Sequence, residues 1–271
     1  MDGTFYLGSS LIDGALDFLE TLKKNNRSFL FLTNNSSKNK AAYKNKLENM
    51  GCHIHEEDVF TSGEATTIYL ADIKPGADIF LLGNEFLHEE FEESGFIIVN
   101  DKGTKPDFVV LGFDTTLTYD KLWKACDWLR EGVPYIATHP DFNCPLEDGK
   151  YMPDTGSMIE MIAASIGRRP HVIGKPNNDI VDAICKKYGY KKHEIAMVGD
   201  RLYTDIKMGE TAGILSVLVL TGEATMEDYN LSDIRADYIF PSIKELGEEL
   251  KSLYKKSRGE KHEQDKFKGK V

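Results

Sequence analysis

Four short runs, far apart in the chain, carry side chains that together could grip and transfer a phosphate group: Asp2-Gly3-Thr4, Thr33-Asn34-Asn35, Gly174-Lys175-Pro176, and Gly199-Asp200-Arg201 with Asp205 close behind. Phosphoryl transfer calls for a cation to neutralise the phosphate, a positive side chain, hydrogen-bond donors to its oxygens and an acid for the leaving group. Asp200 follows the apolar run Ile195-Ala196-Met197-Val198, so it stands at the carboxyl end of a strand, where a hard cation such as Mg²⁺ collects oxygen ligands. Asp205 suits a place behind it, holding Lys175 or a metal-bound water; as an acid in the first turn of a helix it would equally serve the macrodipole. Lys175, between a glycine and a proline, reads as a point charge held toward phosphate. Thr33 ends another apolar run, so its hydroxyl and the backbone N–H of Asn34 can reach phosphate oxygens, with Asn35 beside them. Ser36 or Ser37 would cap the helix that begins near Lys38.

These residues need a frame that brings strand ends together. Short β-rich runs (28–32, 79–82, 108–111, 135–137, 195–198 and 215–219) alternate with amphipathic stretches, a pattern of parallel sheets with crossover helices. Thr33, Lys175 and Asp200 each follow an apolar run directly or within about two residues, as active-site residues of doubly wound folds do. Lys74-Pro75-Gly76 opens a new β-α series and Gly167-Arg168-Arg169-Pro170 closes it. The expected architecture is a doubly wound, Rossmann-like α/β core over residues 1–74 and 169–271, with a smaller α/β domain inserted at 75–168. A stretch from about Lys255 to the end, rich in Lys, Glu, Gly and Gln, reads as frayed or disordered.

Taken in order, Asp2-Gly3-Thr4, Leu32-Thr33-Asn34-Asn35-Ser36, Gly174-Lys175-Pro176 and Val198-Gly199-Asp200-Arg201 with Asp205 resemble the four signature motifs of the haloacid dehalogenase superfamily. Phe60-Thr61-Ser62-Gly63-Glu64-Ala65, Pro75-Gly76-Ala77, Gly112-Phe113-Asp114, Ala137-Thr138-His139-Pro140-Asp141 and Pro153-Asp154-Thr155-Gly156-Ser157 narrow this to the NagD-like and 4-nitrophenylphosphatase-like phosphatases, whose α/β cap is inserted between the second and third motifs. The resemblance implies a Mg²⁺-dependent hydrolase of small organic phosphomonoesters: sugar phosphates, phosphoglycolate, nucleoside monophosphates or pyridoxal phosphate. It implies an aspartyl-phosphate intermediate, with Asp2 protonating the leaving alcohol and later activating water. Asp2, Asp200 and Asp205 would surround the metal, and Thr33, Asn34, Asn35 and Lys175 the phosphate. The loop from Thr138 to Pro145 would descend over the leaving group, offering His139, Asp141, Asn143 and Cys144 for substrate contact. His139 stands where the subfamily commonly has Asn, and Asp154 where it commonly has Gly.

The superfamily's first motif is D-x-D-G-T, and its first Asp attacks phosphorus. Met1 occupies the x, so the attacking Asp and the central strand that leads to it are expected upstream of Met1, and residues 1–271 alone are expected to lack turnover. A catalytically silent phosphate-ligand-binding or regulatory protein is the alternative. An ATP-dependent phosphotransferase lacks support, since the chain has no G-x-x-x-x-G-K-[ST] loop.

Among 271 residues, 33 basic against 44 acidic side chains leave a net charge of −11, which disfavours a nucleic-acid surface and suits a soluble cytoplasmic protein. No stretch approaches the roughly 18 apolar residues of a membrane-spanning helix, and no export signal is visible. Cys52, Cys126, Cys144 and Cys185 show no metal or disulfide spacing. His53, His55, Glu56 and Glu57 read as a solvated connection rather than a metal cluster. An apolar face on the inserted domain would permit a homodimer.

Overall fold

The computed structural model describes residues 1–100, 103–146 and 149–268. The chain opens with a small antiparallel hairpin, β1 (Tyr6–Leu7) and β2 (Ser10–Leu11), and the helix α1 (Ala15–Lys24), which buries Ala15, Phe18 and Leu19 on one face. Next comes β3 (Phe31–Thr33), α2 (Lys40–Asn49) and β4 (Val59–Thr61), the two strands being parallel. Helix α2 starts where the Asn39 side chain accepts from the Ala42 N–H, which leaves residues 34–38 as a loop at the carboxyl end of β3. The helix α3 (Ser62–Ile73) then leads out of this region.

A second parallel sheet follows, built from β5 (Asp78–Leu82), β6 (Ile97–Ile98), β7 (Phe108–Leu111), β8 (Tyr135–Ala137) and β11 (His171–Val172) in the order β11-β8-β7-β5-β6. Its central strands β5, β7 and β8 are nearly continuous buried apolar runs, as expected of a sheet covered on both faces, while the edge strands β6 and β11 are partly exposed. Helices α4 (Glu85–Glu93), α5 (Tyr119–Arg130) and α6 (Thr155–Ile166) connect them, and a two-stranded ribbon of β9 (Asn143–Pro145) and β10 (Tyr151–Pro153) stands apart. The sheet thus reaches three to four residues past position 168, where the sequence suggested that the insert closes: His171 and Val172 pair with Ile136 and Ala137.

The chain returns through α7 (Asp179–Tyr188) to β12 (Ala196–Gly199), one π-helical turn (Leu202–Ile206), α8 (Lys207–Ala212), β13 (Leu215–Val219), α9 (Met226–Leu231), β14 (Tyr238–Phe240) and α10 (Ile243–Lys268). Strands β12, β13 and β14 form a parallel sheet. The parallel alternation read from the sequence is the architecture found. Among the described residues the first region's sheet stands in two hydrogen-bonded pieces, β3-β4 and β12-β13-β14. Between them lies a groove of about 450 Å³ lined by Leu30, Leu32, Val181, Ile184, Met197 and Ile214. The stretch read as frayed continues the last helix to Lys268, for its Lys, Glu and Gln are good helix formers; residues 269–271 lie outside the described residues.

Candidate active site

Apart from Asp2 in the chain's first turn and Asp205 in the π-helical turn, the functional side chains leave the carboxyl ends of strands. Thr33 ends β3, Thr138 and His139 follow β8, Lys175 follows β11, Asp200 follows β12, and Thr221-Gly222-Glu223 follows β13. The ends of β3, β11 and β12 converge on an inner cavity of about 270 Å³ whose walls include Asp2, Thr33, Asn34, Asn35, Lys175, Asp200 and Asp205. It shares Asp2, Asp141, Asn143, Asp200 and Arg201 with a wider cleft of about 1660 Å³.

Asp200 is 4 % exposed, and both its oxygens are engaged. Oδ1 accepts the Thr4 hydroxyl at 2.8 Å and Oδ2 the Glu223 N–H at 3.0 Å. Two glycines make the room it needs: a Cβ on Gly3 would lie 2.4 Å from Oδ2 and one on Gly222 2.0 Å from it. Gly3 also has φ of 76°, a left-handed conformation that favours glycine. The Thr221 hydroxyl donates to the Gly3 carbonyl at 2.7 Å, which joins the β13 loop to the chain's first turn.

Lys175 and Asp205 form a buried ion pair, Nζ to Oδ1 at 2.6 Å. The second Asp205 oxygen accepts the Arg201 N–H at 3.2 Å, and a Cβ on Gly199 would strike the Asp205 side chain at 2.2 Å. Burial pushes the Asp205 carboxyl up, but Lys175, the α-amino group of Met1 and the hydrogen bonds outweigh it and hold the group below its ordinary value. That α-amino group is itself buried beside the site; burial first, and Lys175 second, lower its pKa against the pull of Asp205, Asp200 and Asp2. The π-helical turn that delivers Asp205 is an irregularity often found at functional sites.

Asp2, exposed and 3.4 Å from the Gly8 N–H through Oδ1, borders both cavity and cleft. Thr33 accepts the Asn35 N–H at 3.2 Å. The oxygen-rich donor set suits Mg²⁺, which keeps several waters and binds through one or two carboxylates. No three acidic, His or Cys side chains close a full cage among the described residues. Asp200, with the Asp2 main chain, would hold the ion, and Asp205, tied to Lys175, would stand behind it.

Several expected contacts are corrected by the geometry. His139 does not face substrate: it is 0 % exposed, its Nε2 is 2.9 Å from Asp154 Oδ1, and its Nδ1 is 2.9 Å from Thr138 Oγ1. The two positions that departed from the subfamily pattern are therefore partners. Burial works against the charged ring, yet Asp154 outweighs it and raises the His139 pKa above its ordinary value. For Asn34 the expectation concerned its backbone N–H; its side chain is occupied by Lys175 and Asp141. Asn35 Oδ1 accepts the Ser37 N–H and hydroxyl, each at 2.8 Å, which turns its Nδ2 donor to the cavity side, 3.7 Å from Cys144 Sγ. Asp141, Asn143 and Cys144 do line the cavity; burial first, then Asp154, raises the Cys144 thiol.

Thr4, Gly222, Glu223 and Ser62 had no role of their own assigned from the sequence, although Thr4 and Ser62 stand within motifs quoted above. A signal existed for the middle two: Thr221-Gly222-Glu223 directly follows the run Leu215–Leu220 and so occupies another strand end. Ser62 carried none, because its hydroxyl donates to the Asn34 carbonyl across a buried crossing of segments.

Residues 1–97 match the haloacid dehalogenase-like hydrolase family and residues 172–246 a second, HAD-hydrolase-like family. An acid sugar phosphatase of Staphylococcus aureus is 36% identical over 250 residues, covering 92% of this chain and 95% of that protein. The crystal structure of a 4-nitrophenylphosphatase from Thermotoga maritima is 52% identical and superposes with a TM-score of 0.86, covering 92% of this chain and 94% of that one. A glycerol phosphate phosphatase from Mycobacterium tuberculosis, in complex with magnesium, is 30% identical with a TM-score of 0.83, over 90% of this chain and 73% of that one. The fold and site thus place this chain among the haloacid dehalogenase-like hydrolases. Within that family it belongs to the NagD-like, 4-nitrophenylphosphatase-like group. No helix among the described residues is long and apolar enough to cross a membrane.

Proposed function

We propose that this protein is a Mg²⁺-dependent phosphatase of small organic phosphomonoesters. The observation that carries the reading is the convergence on one cavity of a cradled carboxylate, Asp200, a buried ammonium, Lys175, and an exposed carboxyl group, Asp2. Bound Mg²⁺ would supply charge neutralisation at the phosphate oxygens. Lys175, fixed by Asp205, adds a second positive charge whose orientation costs no rearrangement during reaction. The Thr33 hydroxyl and the adjacent backbone offer hydrogen bonds to the same oxygens. Asp2, in reach of solvent and cleft, gives a proton to the departing alcohol and takes one from the incoming water. The motif calls for the attacking carboxylate one residue ahead of Met1. In this reading the insert, residues 75–168 with the β11 edge, acts as a cap whose loop after β8 faces the leaving group. The phosphatase names of its relatives support the reaction class, and the magnesium complex of one of them supports the ion.

The test uses a chain extended ahead of Met1 by an apolar strand ending in Asp, beside residues 1–271 alone. Phosphate release from sugar phosphates, phosphoglycolate, nucleoside monophosphates and pyridoxal phosphate is expected from the extended chain, lost with EDTA and regained with Mg²⁺. Release at equal rates by both chains would overturn the assignment of Asp2 as acid rather than nucleophile. Phosphate binding without release by the extended chain would favour a silent binding protein.

A further inference from the structure

The carboxamide of Asn34 is committed on every side. Its Oδ1 accepts the Lys175 main-chain N–H at 2.9 Å, while Nδ2 donates to the Lys175 carbonyl and to Asp141 Oδ1, both at 3.0 Å. The amide orientation is dictated by these partners: an N–H requires the oxygen, and a carbonyl and a carboxylate require the nitrogen. The Asn34 carbonyl is held in turn by the Ser62 hydroxyl. Gly174 keeps the approach open, for a Cβ there would lie 2.8 Å from Asn34 Oδ1 and 2.6 Å from the Thr138 carbonyl. The Lys175 peptide is therefore gripped at two points, much as a strand grips its neighbour, while its ammonium is fixed by Asp205 at the other end. Asn34 comes from the loop after β3 and Lys175 from the end of β11; the third partner, Asp141, belongs to the loop after β8, which lines the cleft.

We propose that Asn34 is a positioning residue that makes the placement of Lys175 depend on the seating of Asp141, so that the cleft loop and the phosphate-gripping lysine are set together. This rests on the phosphatase reading of the site. A leaving group that seats the loop well then also sets the lysine, and one that lifts Asp141 loosens it; discrimination enters kcat as well as KM.

Asn34→Asp tests the coupling. It keeps the acceptor for the Lys175 N–H but turns lone pairs toward the Lys175 carbonyl and Asp141. Affinity of the Mg²⁺-loaded full chain for inorganic phosphate, measured by calorimetry, is expected to fall about tenfold or more, the scale of losing hydrogen bonds to a charged group in a buried setting. Adding Asp141→Asn restores a donor facing the new carboxylate and is expected to bring affinity back to within about threefold of the parent. Nitrogen NMR of the Lys175 amide and ammonium without phosphate reads the clamp independently of ligand: both resonances shift in Asn34→Asp and return in the pair. Unchanged resonances in Asn34→Asp, or a pair no closer to the parent than the single variant, would overturn the proposal. A parent chain that binds no phosphate yet shows the NMR shift and its reversal would count against the phosphatase reading and leave the clamp standing.

Discussion

Asp200 has no spare space around it, and that is what makes it testable. Asp200→Asn keeps the shape and removes the charge, so Mg²⁺ affinity should drop and turnover of the extended chain should fall at least about a hundredfold. Gly222→Ala leaves the charge and drives a Cβ into Oδ2; titration of Mg²⁺ is expected to show a similar loss of affinity, and parent-like binding would contradict the cradle. For Lys175 the question is division of labour. Lys175→Met strands Asp205 in a buried site, a change worth about 3–5 kcal/mol of stability. Thermal unfolding should register it, and Lys175→Met with Asp205→Asn should regain most of the melting temperature while turnover stays low. Asp200, Lys175 and Asp205 were legible because each combines a chemically demanding residue type with a strand end or a rigid neighbour. His139 was not. Its sequence neighbours place it in a loop beside the cleft, and nothing local reveals that Asp154, fifteen positions on, turns the ring inward.

At the scale of elements, the loop after β8 has two faces. Its buried side holds the His139–Asp154 pair, whose stabilisation has a defined pH sense. A His pKa raised on folding contributes fully below the ordinary imidazole value of 6.5 and is lost as pH rises through the folded value. The melting temperature should thus decline on going from pH 6 toward alkaline pH, and His139→Asn should flatten that decline; an unchanged profile would remove the charged pair from the account. The open side carries Phe142 and Asn143, both exposed in the cleft. Phe142→Ala or Asn143→Ala is expected to alter relative kcat/KM values among organic phosphates by roughly tenfold to a few hundredfold, with a small aryl phosphate less affected. Equal losses on every substrate, together with weaker Mg²⁺ binding, would assign this loop to the chemistry itself. The loop's position at a strand end could be read from the apolar run before it. Which of its side chains turn inward could not, because that depends on α6 and on Ser62, distant in sequence.

For the whole molecule, alternation of apolar runs and amphipathic stretches announced parallel sheets, while Pro-Gly and Gly-Arg-Arg-Pro only suggested where an insert begins and ends. The exact edge escaped, since His171 and Val172 resemble any short strand and only pairing with β8 decides their sheet. The groove between β3 and β12 makes a global prediction. An extended apolar segment ahead of Met1 would pair with both facing edges and cover Leu30, Leu32, Met197 and Ile214. The extended chain is therefore expected to melt several degrees above residues 1–271, since about 1 kcal/mol corresponds to a few degrees in a chain of this size. Equal melting temperatures would mean that the segment does not enter the groove.

The grip on Asn34 also bears on chemical ageing. Deamidation of an asparagine begins when the next residue's amide nitrogen attacks the side-chain carbonyl and expels ammonia, and hydrolysis of the cyclic imide would turn Asn34 into isoaspartate or aspartate, either of which lacks the amide donor that the clamp on Lys175 uses. Here the carboxamide is immobilised by Lys175 and Asp141, and the Asn35 N–H that would attack is turned to the Thr33 hydroxyl. The contacts that set the lysine, together with the separate Asn35 N–H to Thr33 bond, therefore slow a covalent decay that would unset it, and a preparation stored unfolded should accumulate that damage while a folded one is spared.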